Sequence, residues 1–143
     1  MIRPLLLGFL LLAACGKPDE PAIQVSDAWA RATAPGQSSA AVYATIVNDG
    51  SASDRLVSAS TDRAAHAMLH EGSMENGIAR MRMVDRVELA PGRPMELKPG
   101  GAHIMLTGVA RSLSAGDRFT LRLRFEKNGE KDVPVAVVAA GER

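Results

Sequence analysis

All three histidines of this chain, and every methionine except the initiator, fall between His66 and Met105. The histidines are His66, His70 and His103; the methionines are Met68, Met74, Met81, Met83, Met95 and Met105. Imidazole nitrogen and thioether sulfur are neutral donors of intermediate to soft character, and together they favour Cu(I) over hard cations. The single cysteine, Cys15, lies far outside this stretch. Blue-copper electron transfer needs a thiolate in the metal's ligand shell, so a domain built around residues 66–105 is excluded from it. The Gly-x-Ser-x-Gly and His-Glu-x-x-His signatures are missing, as is a catalytic thiol, and the chain is not read as an enzyme. What these residues can do is hold a soft ion and let it go.

Positioning them is a task for strands. Residues i and i+2 of a strand project to the same face. His66, Met68 and His70 therefore share a face if 64–71 is extended, as do Met81 and Met83 within 78–84, and His103 and Met105 within 102–107. The rest of the chain reads the same way. Short alternating runs at 23–32, 40–47, 55–60, 87–89, 95–97, 118–126 and 133–139 are separated by turn signals. Asn76-Gly77 and Asn128-Gly129 are hairpin turns, because both residue types tolerate positive φ. In 118–126, Phe119, Leu121, Leu123 and Phe125 alternate with Arg118, Thr120, Arg122 and Arg124, a buried face and a solvated one. Pro134 marks its strand as an edge or a bulge. No run holds a helical period, so the expected fold is all-β: an antiparallel sandwich or barrel with Greek-key connections. Within it Met95 is expected to pack in the core, Met74 to lie exposed at a hairpin, and Trp29 to anchor packing.

Of the 143 residues, 46% are hydrophobic, enough for one core, and only 3% are aromatic, so aliphatic side chains must fill it. Residues 1–14 read as a leader: Arg3, a short apolar run, then Ala13 and Ala14 before Cys15. The run is shorter than the roughly 20 residues of a spanning helix. Leu12-Ala13-Ala14-Cys15 resembles the bacterial lipobox, which implies that Cys15 is lipidated and anchors the protein to a membrane of the cell envelope. Gly16 stands where aspartate would favour inner-membrane retention, so the anchor leans to the outer membrane. Residues 15–22 form a polar tether and 23–143 the domain. Without the leader the chain carries sixteen residues of each charge, which gives no electrostatic reason to expect nucleic acid.

Four of the donors stand in a fixed spacing: His70, ten residues, Met81, twenty-one residues, His103, one residue, Met105. This resembles the motif of the periplasmic PCu(A)C-type copper chaperones. Similar wording surrounds it, in Asp27-Ala-Trp-Ala-Arg-Ala-Thr33, Ser73-Met-Glu-Asn-Gly77 and Glu96-Leu-Lys-Pro-Gly-Gly101, and the similarity spans about 23–138. Two positions depart from the pattern. Gly72 stands where many members carry a further methionine, and Met83 where proline is common.

The resemblance implies a cupredoxin-like β-sandwich with Cu(I) held by His70, Met81, His103 and Met105 near one end. It implies delivery to an acceptor protein, cytochrome c oxidase or one of its assembly factors. His66 and Met68 are candidates for an auxiliary metal position, on which the motif is silent. The alternative is an envelope lipoprotein of structural or interaction role, whose Met/His cluster serves packing.

Overall fold

The computed structural model describes residues 19–143; the leader, Cys15 and the first part of the tether lie outside the described residues. Ten strands follow: β1 (Ile23–Arg31), β2 (Ser39–Asn48), β3 (Asp54–Ser60), β4 (Ala64–Glu75), β5 (Ile78–Met83), β6 (Val87–Leu89), β7 (Met95–Leu97), β8 (His103–Val109), β9 (Arg118–Phe125) and β10 (Gly129–Val138). Every expected strand is present, and the described residues hold no helix. Their lateral order is β5-β4-β8-β2-β1-β10-β9-β3-β6, with β7 added beside β2. A bridge between Ala59 of β3 and Ala67 of β4 joins the strands next to the two ends of this order, so the sandwich also closes as a barrel. Neighbours distant in sequence, β4 with β8 and β9 with β3, give the Greek-key character.

The fold departs from strict antiparallel pairing once. β1 and β10 run parallel, with Trp29 opposite Ala136. Parallel neighbours need a long crossover, and these strands have nearly the whole domain between them. β10 is an interior strand, and Pro134, expected at an edge or a bulge, stands where β10 has no partner yet on the β1 side. The proline is tolerated because the ladder with β1 begins only at Ala136, beyond an irregularity in β1 where Asp27 takes φ 51°.

β9 shows the alternation in full. Phe119, Leu121, Leu123 and Phe125 are buried, while the arginine face is solvated and Arg122 reaches Asp132 of β10 at 2.7 Å. The core they enter is aliphatic, with Val42, Ile46, Ile104, Leu106 and Val135 at its centre. Met95 packs against it, as expected. Trp29 is buried too, but outside this core: its ring packs at a tilt of 41° against Tyr43 on the other side of the sheet, ring centroids 4.6 Å apart.

Two buried polar side chains tie the loops down. Asn48 accepts from the amides of Ala22 and Gly50 and donates to the carbonyls of Ala52 and Leu89. Asp54 accepts from the amides of Arg55, Lys127 and Asn128. Satisfied in this way, both groups avoid the penalty of unpaired burial. The Asn128-Gly129 hairpin has three residues between the paired Phe125 and Gly129, and only Gly129 takes positive φ. At Asn76-Gly77 both residues do, at 52° and 78°, which gives the two-residue turn that sets β5 against β4.

Candidate metal centre

β4 is flanked by β8 on one edge and β5 on the other. Against β8, His70 lies opposite His103, Met68 opposite Met105, and His66 opposite Thr107. Against β5, His70 lies opposite Met83, Gly72 opposite Met81, and Met74 opposite Ala79. Directly paired residues project to the same side of a sheet. The three histidines and Met68, Met74, Met81, Met83 and Met105 therefore stand on one face, and Ala67, Leu69, Ile104 and Leu106 turn to the core on the other. Met95, on β7, is the methionine in this stretch that the registers keep away from the donor face.

Met81, His103 and Met105 line one groove of about 300 Å³ together with Tyr43, Gly72 and Met74. Its shape depends on Gly72. A Cβ there would meet the Gly101 carbonyl oxygen at 2.9 Å and that of Gly100 at 3.2 Å. With no side chain between Met81 and the turn at Gly100-Gly101, the methionine on β5 shares a groove with residues of β8. The departure at Gly72 thus has a local reason: β4 and this turn approach too closely for a larger residue.

His103 is only 7% exposed, and its Nδ1 lies 3.0 Å from the carbonyl oxygen of Gly101. A carbonyl can only accept, so Nδ1 donates, and the neutral ring keeps its lone pair on Nε2. A backbone acceptor behind a histidine that fixes its tautomer is the usual support for a ligating imidazole. Tyr43 stands beside the ring at 6.4 Å between centroids. Behind Tyr43 lies Trp29, with the guanidinium groups of Arg31 and Arg143 5.8 and 5.6 Å from its ring.

His70 meets His103 edge-on at 5.6 Å between centroids, beside the groove rather than among its lining residues. Its Nδ1 is buried and has no hydrogen-bond partner among the described residues. Burial, and secondly the charge of His103, hold its pKa below the ordinary 6.5. The ring is thereby kept neutral, the form that can ligate. His66 is exposed and faces Thr107, away from the groove. Among the described residues no three His, Cys, Asp or Glu side chains converge. The other soft donors on this face are the methionine sulfurs.

The strand pairing and this face define a class, the PCuAC-type domain. The copper-bound PCuAC domain from PmoF2 matches with a TM-score of 0.70 at 26% identity, over 82% of this chain and 92% of that one. The apo PCuAC domain from PmoF1 matches at 0.69 and 31%, over 82% and 93%. The solution structure of apo-DR1885 from Deinococcus radiodurans matches at 0.64 and 25%, over 99% and 97%. In sequence, the family profile "Putative lipoprotein LpqE-like" matches residues 23–137. A putative lipoprotein of Leifsonia xyli subsp. xyli, Lxx21020, is 34% identical over 80% of this chain and 69% of its own length. The uncharacterized protein RP573 of Rickettsia prowazekii is 35% identical over 84% and 68%. The chain belongs to the LpqE-like family of putative lipoproteins, whose domain here is of the PCuAC type.

Sequence reasoning had no hold on Tyr43 or the Gly101 carbonyl, because the β2–β8 register that brings Tyr43 to the groove joins strands far apart in the chain. Gly72→Met adds a donor type that the family often carries there, but its Cβ would force the 100–101 turn to move. Thermal melting should show a loss of about 1–3 kcal/mol in the metal-free domain. An unchanged melting temperature would mean that the turn yields freely.

Proposed function

We propose that this protein is a Cu(I) carrier of the cell envelope, holding one ion with His70, Met81, His103 and Met105 and passing it to an acceptor protein. The observation that carries this reading is the groove in which Met81, His103 and Met105 converge, with the unpartnered His70 ring beside it. The copper-bound relative PmoF2 supports it at the level of the domain. Two thioethers and two imidazoles form a neutral shell, which suits a monovalent soft ion and binds less tenaciously than thiolates would. Release to a cysteine-rich acceptor is then downhill. The acceptor that fits the resemblance is cytochrome c oxidase or an assembly factor for it. Thioethers form no disulfides, so the site tolerates an oxidising compartment.

We place the anchor at Cys15, followed by the 15–22 tether and the 23–143 domain. The lipoprotein names of the family and of the Leifsonia xyli relative support this assignment. Anchoring confines the carrier near membrane-bound acceptors and raises their effective concentration without new contacts. Cys15→Ser should release the protein from the membrane fraction; membrane attachment that survives the change would refute the anchor.

Copper uptake itself is read by X-ray absorption on the Cu(I)-loaded protein, which should count mixed nitrogen and sulfur neighbours. Met81→Ala or Met105→Ala should weaken Cu(I) by on the order of 100-fold while the fold persists. Met95→Ala, on the far side of the ladder, should leave affinity unchanged. Equal effects of Met81 and Met95 would sink the ligand assignment in favour of an interaction lipoprotein whose methionines serve packing.

Acid should weaken the site. A protonated imidazole cannot ligate, and the thioethers have no proton to lose. Because His70's pKa is lowered from 6.5, it stays neutral through pH 7 and competes with copper only as the pH falls further. Affinity should be flat from pH 8 to 7 and drop below about pH 6. A chelator-competition titration checks this; a flat profile from pH 7.5 to 5 would take the histidines out of the shell.

A further inference from the structure

Two donors of the sheet face lie outside the groove. Met68 precedes His70 by two residues on β4, and Met83 lies directly opposite His70 on β5. Both line a second cavity of about 190 Å³, and His70 stands beside it rather than among its lining residues. It sits at the seam where β4 leaves β3 after the Ala59–Ala67 bridge and takes up β5 at His70. Leu56, Ala59 and Ile104 give it apolar walls, and Asp85 contributes a carboxylate to the lining. Met83 is 60% exposed, which leaves the residue within reach of an approaching partner. The buried, unpartnered Nδ1 belongs to the histidine that both methionines flank.

We propose that Met68 and Met83, with His70 between them, form a second Cu(I) position beside the groove, through which the ion is exchanged with an acceptor. The proposal rests on the copper-carrier reading above. A neutral imidazole has one lone pair, so His70 serves one position at a time and the copper count stays at one. In passing outward the ion keeps His70, gives up Met81, His103 and Met105, and gains Met68 and Met83. Its oxidation state does not change and no proton moves. The carboxylate of Asp85 offsets the ion's positive charge in a cavity lined otherwise by Ser58 and apolar side chains. Three donors in place of four bind more weakly, as a position of transfer requires. Met83 also gives the incoming ligand an exposed residue to displace, which the more enclosed His103 cannot offer.

The test uses protein carrying ¹³C-methyl methionine, with Cu(I) titrated anaerobically against a chelator. Leucine replaces methionine at near-constant volume, so packing is kept, and circular dichroism melts check each fold. A groove-disabled variant, Met81→Leu with His103→Ala, should still bind one Cu(I), on the order of 100-fold more weakly than the unaltered protein. The Met68 and Met83 methyl resonances should shift as it loads while Met95 stays still, and adding Met83→Leu should abolish the residual binding. In the otherwise intact protein, Met83→Leu should leave affinity within about threefold. It should slow transfer to a reduced dithiol peptide about fivefold or more. No residual binding in the groove-disabled variant, a Met83 methyl that does not move, or an unchanged transfer rate would each overturn the second position while leaving the groove intact. A groove-disabled variant that binds as tightly as the unaltered protein, or an unaltered protein that takes up no Cu(I), would overturn the carrier reading itself.

Discussion

The double pairing of β4 is the constraint on which the donor face depends. Its middle is laddered to β8 on one edge and its end to β5 on the other, so it cannot slip without breaking two registers. A slip by one residue would turn His70 toward the aliphatic core and Leu69 toward solvent. Burying an imidazole among Ile104, Leu106 and their neighbours without a partner costs a few kcal/mol, roughly 1–3. Exposing leucine forfeits about 1.5–3 more. The core side of the strand thus decides where the histidines and methionines stand, although none of its residues touches an ion. The Asn76-Gly77 turn does the same for β5, since its two positive φ angles fix which residue of β5 faces Gly72.

The two halves of the groove differ in kind. His103 is nearly enclosed, tied to the Gly101 carbonyl, and backed by the Tyr43–Trp29 pair. That side is prepared before any ligand arrives, so little ordering entropy remains to be lost there. Met81 is 63% exposed on an edge strand whose residues are all exposed. In the proposed carrier its flexible thioether would be ordered on binding and would be the easiest donor to withdraw. A site with one rigid wall and one mobile wall can select an ion without trapping it.

Much of this was legible in the chain. Alternation in 118–126 and the Asn-Gly turns carry their own geometry, because side-chain period and positive φ are local properties. The shared faces within 64–71, 78–84 and 102–107 follow from the same local rule. What joins those segments is not local. That His70 lies beside His103, and that Tyr43 backs it, depends on ladders between strands tens of residues apart. Pro134 is limited for a related reason: it reports that its own amide is unavailable, not which neighbouring strand is missing there. The residues 1–18 that carry the address signal lie outside the described fold and stand on sequence alone.

Gly72 shows how a departure from a family pattern can be read physically. As a missing methionine it subtracts a donor. In the fold it is the point where β4 lies close to the 100–101 turn, and a Cβ there would press on the Gly101 carbonyl oxygen at 2.9 Å. The same close approach sets the spacing between Met81 and His103, because Gly72 is the residue between their strands. Narrowness across β4 and a thioether at position 72 therefore oppose one another in this chain. With no donor at position 72, the neighbouring β5 carries two methionines on that face, Met81 beside the groove and Met83 beside the seam. The position where the family commonly has proline is the one that supplies the second of them.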